Sequence, residues 1–163
     1  MIPFLPVPDG ILVTLTPDDL DLLNQLPEFL ATLGSPAEDP GAARLHSPVY
    51  LDDNQASDEW WRLMSEEFLQ SRTADRSAFA MILESAGAGT VASLAEAEAL
   101  LRVLNEARLA LAARLGVREE GDMELLDSDD QAALDYLAGM QQLLVVALIG
   151  EELEFPIDPT SDN

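Results

Sequence analysis

Four segments of the chain repeat one pattern, in which a residue that can cap a helix is followed by apolar residues at helical spacing and then by a glycine. The capping side chain satisfies free N–H groups at the start of a helix, and glycine readily adopts the left-handed conformation that ends one. These segments run from Thr16 to Gly34, from Ser57 or Asp58 to Gly87, from Ser93 to Gly116, and from Ser128 to Gly150. The repetition predicts an all-α fold, a helical bundle of four to six helices.

Further signals set the expected boundaries of these helices. Pro27 predicts a kink or a split in the first helix, because proline has no N–H to donate. Thr73 is expected to cap a further helix within the second segment. The third and fourth segments each begin with serine followed three residues later by Glu or Gln, the spacing of a capping box. Residues 35–56, rich in Pro, Asp, Gly and Ser, predict a long loop, and 117–127 predict an acidic one.

The first 15 residues have a different pattern, which qualifies the all-helical prediction. Two apolar stretches, Ile2–Val7 and Ile11–Leu15, flank the sequence Pro8-Asp9-Gly10. Proline presets φ and glycine accepts positive φ, so this centre is typical of a turn. A short N-terminal β-hairpin or a single edge strand is therefore expected. The stretch Leu153–Phe155 could add a strand beside it.

The length of 163 residues fits one domain. Apolar residues make up 48% of the chain, too large a share for a wholly disordered protein. We expect a single helical domain over residues 1–155, beginning with the extended segment, and a disordered acidic tail over residues 156–163.

The charge of the chain is strongly negative and unevenly placed. There are 31 acidic residues, eight arginines and no lysine, giving a net charge of −23. Residues 1–43 and 119–163 hold seven and 13 acids and no basic residue, whereas residues 44–118 hold all eight arginines and 11 acids. Phosphate backbones and anionic lipids are bound by clustered positive charge, so we expect neither nucleic acid nor membrane as a direct partner.

The same sequence indicates where the protein resides. The longest uninterrupted apolar run, Leu143–Ile149, has seven residues, far fewer than the roughly 20 needed to span a bilayer. The opening MIPFLPVPDG lacks the basic and long apolar regions of a secretory signal. Cysteine is absent, which excludes disulfides and thiolate sites. We expect a cytoplasmic protein.

Residue types that often act in catalysis or metal binding occur here without the partner residues that such sites require. His46 is the single histidine, whereas catalytic triads and histidine metal sites require further partners. The acids from Asp52 to Glu59 lack the glycine and the final glutamate of a calcium loop. The glycine-rich stretch 87–90 cannot be a P-loop, because the chain has no lysine, and we expect it to connect two helices instead. We therefore expect no catalytic residue, no cofactor and no metal site.

Four polar or aromatic residues are candidates for binding or for structural ties. Asn105 and Arg108 lie three positions apart and so face the same way on a helix. Arg108 falls on an apolar stripe, where it would tie helices together through nearby acids or bind a partner. Trp60 and Trp61 are adjacent, so one can enter the core more easily than the other. We expect partial burial under the preceding loop, whereas an exposed tryptophan would be an interface anchor.

The stretch LLRVLNEARLALAARLGV, residues 100–117, carries a family pattern. The matching positions are Leu101, Leu104, Asn105, Arg108, Leu109, Leu111, Arg114, Leu115 and Gly116. The pattern has Trp, Asp and Gly where this chain has Leu100, Glu106 and Ala112. Further similar blocks lie within 44–53 and 141–148, and the similarity covers roughly residues 11–149. The chain resembles an uncharacterised actinobacterial family of a domain of unknown function, and the match adds Arg114 to the candidates.

The resemblance implies an all-helical domain in an actinobacterial cytoplasm. Genes of this family lie beside that of the Clp-protease N-degron adaptor, and some members are labelled transcriptional regulators. It implies no established activity and no catalytic residues.

Three functions stay open on the sequence. The first is a non-enzymatic regulatory or adaptor protein that binds a protein partner of unknown identity, with a homodimer as one form of that contact. The alternative is an acidic antagonist, or mimic, that occupies the nucleic-acid-binding site of a partner. The third is an enzyme, which would require several carboxylates to converge in a pocket.

Overall fold

The structure, a computed structural model, describes residues 2–46 and 50–152, with the side chains of 151 and 152 left out. Within these residues it contains six α-helices and one three-stranded sheet, which confirms the predicted helical bundle with a short N-terminal hairpin. The strands are β1 (Phe4–Val7), β2 (Gly10–Val13) and β3 (Thr90–Ala92). The helices are α1 (Pro17–Leu23), α2 (Leu26–Ala31), α3 (Pro40–Leu45), α4 (Asn54–Ala86), α5 (Leu94–Arg114) and α6 (Ser128–Glu152).

The sheet is antiparallel throughout and has the order β1-β2-β3. Its hairpin turns at Pro8 and Asp9, as predicted. Gly10 has φ of +145°, and a Cβ there would lie 2.0 Å from the carbonyl oxygen of Ala92, so only glycine fits. Residues 87–90 connect α4 to α5, as predicted, but the prediction missed β3, which begins at Thr90 within this connection. The suggested strand at Leu153–Phe155 and the tail at 156–163 lie outside the described residues.

The predicted split of the first helix is confirmed. Thr16 and Asp19 form a capping box at the start of α1. This helix ends at Leu23, and α2 begins at Leu26 with Pro27 in its first turn. Because Pro27 has no N–H to donate to the carbonyl of Leu23, one continuous helix would leave that carbonyl without its partner.

Two boundary predictions were wrong. Residues 35–56 do not form one loop, since the Asp39 side chain accepts a hydrogen bond from the backbone N–H of Gly41 and caps α3. Asp53 caps α4 in the same way, a few residues before the predicted start. Thr73 caps nothing, because α4 runs through it and its hydroxyl donates to the carbonyl of Leu69 at 2.8 Å.

The last two helices begin near the predicted residues. Ser93 caps α5 as expected, and Gly116 follows that helix with φ of +81°. At α6 the cap is Asp127 rather than Ser128, since the Asp127 carboxylate accepts from the N–H of Asp130 at 2.8 Å. The acidic segment before it contains a short 3-10 helix, Glu120–Leu125, where a loop was expected.

Helix α5 is the central element of the bundle and packs against α2, α3, α4 and α6. Ala97, Ala107 and Ala110 on α5 are fully buried, and their small side chains allow neighbouring backbones to approach closely. The largest side chains that are fully buried join the sheet to the helices: Ile11, Val13, Phe79, Val103, Leu104, Leu137 and Leu144. The core therefore surrounds α5, and its polar residues Arg102, Glu106 and Arg108 contact neighbouring helices.

Candidate functional site

Asn105 and Arg108 lie together at the seam between α5 and α6, where they meet Gln141. Arg108 donates from Nε to Gln141 Oε1 at 2.8 Å and from Nη2 to Asn105 Oδ1 at 3.2 Å. Gln141 Nε2 also donates to Asn105 Oδ1, at 3.1 Å. We call these three half-buried residues the amide–arginine cluster. It ties α5 to α6, as the structural interpretation of Arg108 anticipated.

The partners of Arg108 are not the acidic residues that were predicted from the sequence. Among the described residues, no carboxylate oxygen lies within 4.0 Å of its guanidinium. Two neutral amides hold it instead, so its positive charge is oriented but not neutralised. The sequence offered one clue to Gln141, which is one of two adjacent glutamines inside a long uncharged part of α6.

Arg114 does not join this cluster. It is the last residue of α5 and donates to both carboxylate oxygens of Asp39, at 2.6 and 3.1 Å, and to the carbonyl of Thr32 at 3.2 Å. Its guanidinium also lies 5.2 Å from the centre of the Phe29 ring. The guanidinium and the Gly34 N–H hold the pKa of Asp39 well below its usual range. Arg114 thus fixes the ends of α2 and α3 against α5.

Trp60 and Trp61 lie near the start of α4, and both are half-buried outside the main core. The Trp61 ring stacks on His46 with centres 4.0 Å apart, and Trp60 meets Trp61 edge to face at 5.1 Å. Phe68, two turns along α4, is 5.2 and 5.3 Å from the two indoles. Neither tryptophan enters the core. Both are partly buried, in agreement with the prediction, and the aromatic cluster supplies the packing of both.

A layer of charges between α4 and α5 was missed by sequence reasoning. Arg102 donates two hydrogen bonds to the buried Asp75, at 2.8 and 2.9 Å. Glu106 lies 3.5 Å from both Arg72 and Arg76. Burial raises the pKa of Glu106 even though the two arginines favour its ionised form. The spacing of Arg72 with Arg76, and of Arg102 with Glu106, was a signal that both pairs occupy single helix faces.

Helix α6 exposes apolar surface on the side that faces away from α5. Its residues from Tyr136 to Gly150 include no charged side chain, and Leu143, Val146 and Ile149 are 44%, 57% and 47% exposed. The part from Ser128 to Gly150 is long and apolar enough to cross a membrane, judged by length and composition alone. Within its most apolar stretch, 28% is buried. The sequence prediction considered only uninterrupted apolar runs and therefore underestimated the length of the apolar part of this helix. We call its exposed residues the α6 face: Ala138, Gly139, Gln142, Leu143, Val146 and Ile149.

A cavity of about 620 Å³ lies between α3 and the end of α5. Glu38 and Asp39 contribute carboxylates to it. Asp39 is held as an ion by Arg114, which leaves it unsuited to proton transfer near neutral pH. No group of three or more His, Asp or Glu side chains able to hold a metal ion occurs in this part of the chain.

Comparison with known proteins gives a family but no activity. The model of a domain of unknown function, DUF2017, matches residues 1–148. The match confirms the resemblance to an uncharacterised domain family that residues 100–117 indicated. No curated protein and no solved structure matches this chain.

Proposed function

This chain belongs to the DUF2017 family of domains of unknown function, and we propose that it is a non-enzymatic cytoplasmic regulatory or adaptor protein that acts by binding another protein. The α6 face is the observation that carries the proposal. With 31 acidic residues and a net charge of −23, the chain is strongly acidic. A patch without charge on such a chain is unusual, and contiguous exposed apolar surface is typical of protein contact sites.

The amide–arginine cluster lies at the edge of this surface. Gln141 immediately precedes Gln142 of the α6 face, and its side chain holds the guanidinium of Arg108. Because the partners of that guanidinium are neutral, its charge remains available to a carboxylate of a partner. The arrangement favours a protein that brings apolar side chains to the face and an acid to Arg108. Trp60 and Trp61 are a second candidate contact region, on α4.

The test is affinity capture of the full chain from its native host, with cross-linking and mass spectrometry. Val146→Asp places a charge in the α6 face, and Met81→Asp, at a residue 68% exposed on α4, is the matched control. We expect wild type and Met81→Asp to capture the same protein and Val146→Asp to lose it. Capture that Val146→Asp leaves intact, or repeated failure to recover a partner, would contradict the proposal.

The same variants test the homodimer. If sedimentation shows a wild-type dimer that Val146→Asp dissociates, the partner of the α6 face is a second copy of the chain. The resemblance also implied an actinobacterial host, a link to the Clp-protease N-degron adaptor and a role in regulation, and the identity of a captured protein tests the last two.

A second candidate function, the acidic antagonist of a nucleic-acid-binding protein, is favoured by the segment before α6. Residues 119–130 hold seven carboxylates and no basic residue. Partial desolvation and the neighbouring Asp127 and Asp129 raise the pKa of Asp130, a sign of crowded negative charge. This function predicts capture of a basic DNA- or RNA-binding protein with an affinity that falls steeply as salt rises. An apolar, salt-insensitive contact would exclude it.

A further inference from the structure

A second apolar surface lies on a different side of the bundle, in a groove between α1, α2, α5 and α6. Its volume is about 260 Å³. Leu26, Ala107 and Leu137 form the floor and are 7% exposed or less. The half-buried or exposed residues Leu22, Gln25, Phe29, Leu111 and Ala133 line it further. No charged side chain lines this groove in the part of the chain that the structure describes.

Acids surround the groove on two sides. On α1, Asp18 and Asp21 lie one turn before Leu22 and Gln25 of the lining. The hydrogen bond from Gln25 Nε2 to the Asp21 carbonyl, at 2.9 Å, keeps that side chain at the rim. Asp129 and Asp130 likewise lie one turn before Ala133, on α6. Arg114, whose guanidinium lies 5.2 Å from the ring centre of Phe29 in the lining, is paired with Asp39.

The size and the charge of the groove together select its occupant. Pockets for small ligands usually measure roughly 300–1,000 Å³, so this groove suits one or two apolar side chains rather than a whole metabolite. The four flanking carboxylates would attract Lys or Arg residues placed beside those side chains. A second copy of this chain is a poor match, because its own helices carry the same negative charge.

We propose that the groove binds a basic amphipathic helix of a partner protein, with leucine-like anchors in the groove and flanking cations at Asp18, Asp21, Asp129 and Asp130. Helices that bind grooves commonly present such anchors at positions i, i+3, i+4 and i+7. The inference rests on the proposed function only in that the partner is a protein. It assigns that partner's chemistry, and it uses a surface separate from the α6 face.

The probe is a fluorescent synthetic helix of leucine and lysine, about 18 residues long, together with the same peptide carrying glutamate in place of lysine. Binding to the full chain is followed by anisotropy. Ala133→Phe fills the groove without changing charge, and Ala132→Phe, at the exposed neighbour outside the lining, is the matched control. We expect the lysine peptide to bind wild type and Ala132→Phe, and to bind Ala133→Phe about tenfold more weakly. The glutamate peptide should not bind.

A second set of variants, which changes charge instead of volume, keeps the test independent of how Ala133→Phe folds. The pair Asp129→Asn and Asp130→Asn should weaken the lysine peptide, whereas Asp135→Asn, at an exposed acid elsewhere on α6, should not. Equal binding by Ala133→Phe and Ala132→Phe would overturn the proposal, since the peptide would then adsorb to the acidic surface in general. Loss of the peptide in Val146→Asp but not in Ala133→Phe would assign it to the α6 face and likewise overturn the groove. Retention in Val146→Asp with loss in Ala133→Phe would support the groove whatever becomes of the α6 face.

Discussion

The ion pair between Arg102 and Asp75 gives a sharp prediction because its two partners are unequally buried. The Asp75 side chain is 10% exposed, whereas that of Arg102 is 53% exposed. Arg102→Ala leaves a buried carboxylate without its two hydrogen bonds, and a buried charge without a partner is strongly unfavourable. Asp75→Ala instead leaves an arginine that water can solvate. The two changes break the same pair but should have different costs.

The expected magnitudes follow from that burial. Breaking a fully buried pair costs about 3–5 kcal/mol, and an exposed pair contributes about 0–1 kcal/mol. Since Asp75 is buried and its partner is at the surface, we expect Arg102→Ala to lower the free energy of unfolding by about 2–3 kcal/mol. Asp75→Ala should lower it by about 1 kcal/mol. The double variant should be more stable than Arg102→Ala alone by about 1 kcal/mol, because it removes the stranded carboxylate.

Urea unfolding followed by circular dichroism at neutral pH measures all three variants. Arg62→Ala, which breaks the exposed pair with Glu59, is the control and should show no measurable loss. If Asp75→Ala costs as much as Arg102→Ala, or if the double variant is the least stable of the three, the asymmetry of burial is not what governs this pair.

Three further changes test other contacts. Tyr136→Phe removes the hydroxyl that donates to Asp19 at 2.8 Å. Burial alone would raise the pKa of Asp19, but this hydrogen bond and the helix-cap bonds lower it, so NMR titration should show the pKa rising in the variant. The stability that the lowered pKa provides is present above about pH 4 and is lost as pH falls through the folded value. On acidification, the free energy of unfolding should therefore fall more in wild type than in the variant. Burial raises the pKa of Glu106, so the stability that its protonated form provides is fully present below about pH 4 and is lost as pH rises through the folded value. The urea midpoint of Glu106→Gln should therefore change less between pH 4 and 7 than that of wild type. Gly10→Ala should lower the free energy of unfolding by about 2 kcal/mol or more, through positive φ and the clash with β3, whereas Gly121→Ala, which has open space, should leave the melting temperature unchanged.

The sequence predicted the features of the fold that depend on a few adjacent residues. Thr16 and Ser93 cap helices because a cap requires only a side chain and the N–H groups of the next turn. Pro27 splits its helix and Gly10 turns the hairpin for equally local reasons. Strand β3 could not be predicted, because its three residues become a strand only through pairing with β2, about 80 residues earlier in the chain.

In the candidate site, too, the contacts between residues close in sequence were predictable and those between distant residues were not. The spacing of Asn105 and Arg108 predicted that they share a helix face, and they do hydrogen-bond. Nothing local could show that their third partner is Gln141, because that contact depends on how α6 packs against α5. The exposure of the α6 face could not be read either, since an apolar helix gives the same composition whether it is covered on one side or on all sides.

The position of β3 also determines when the fold can be completed during synthesis. The hairpin leaves the ribosome before the other elements of this fold, but a two-stranded hairpin alone is marginally stable in water. Its third strand follows about 80 residues later, which is about 4–16 s at a translation rate of 5–20 residues per second. Helix α6, which packs against β1, emerges later still. Until β3 and α6 have been synthesised, β1 and β2 therefore lack the elements that pack against them in the folded domain.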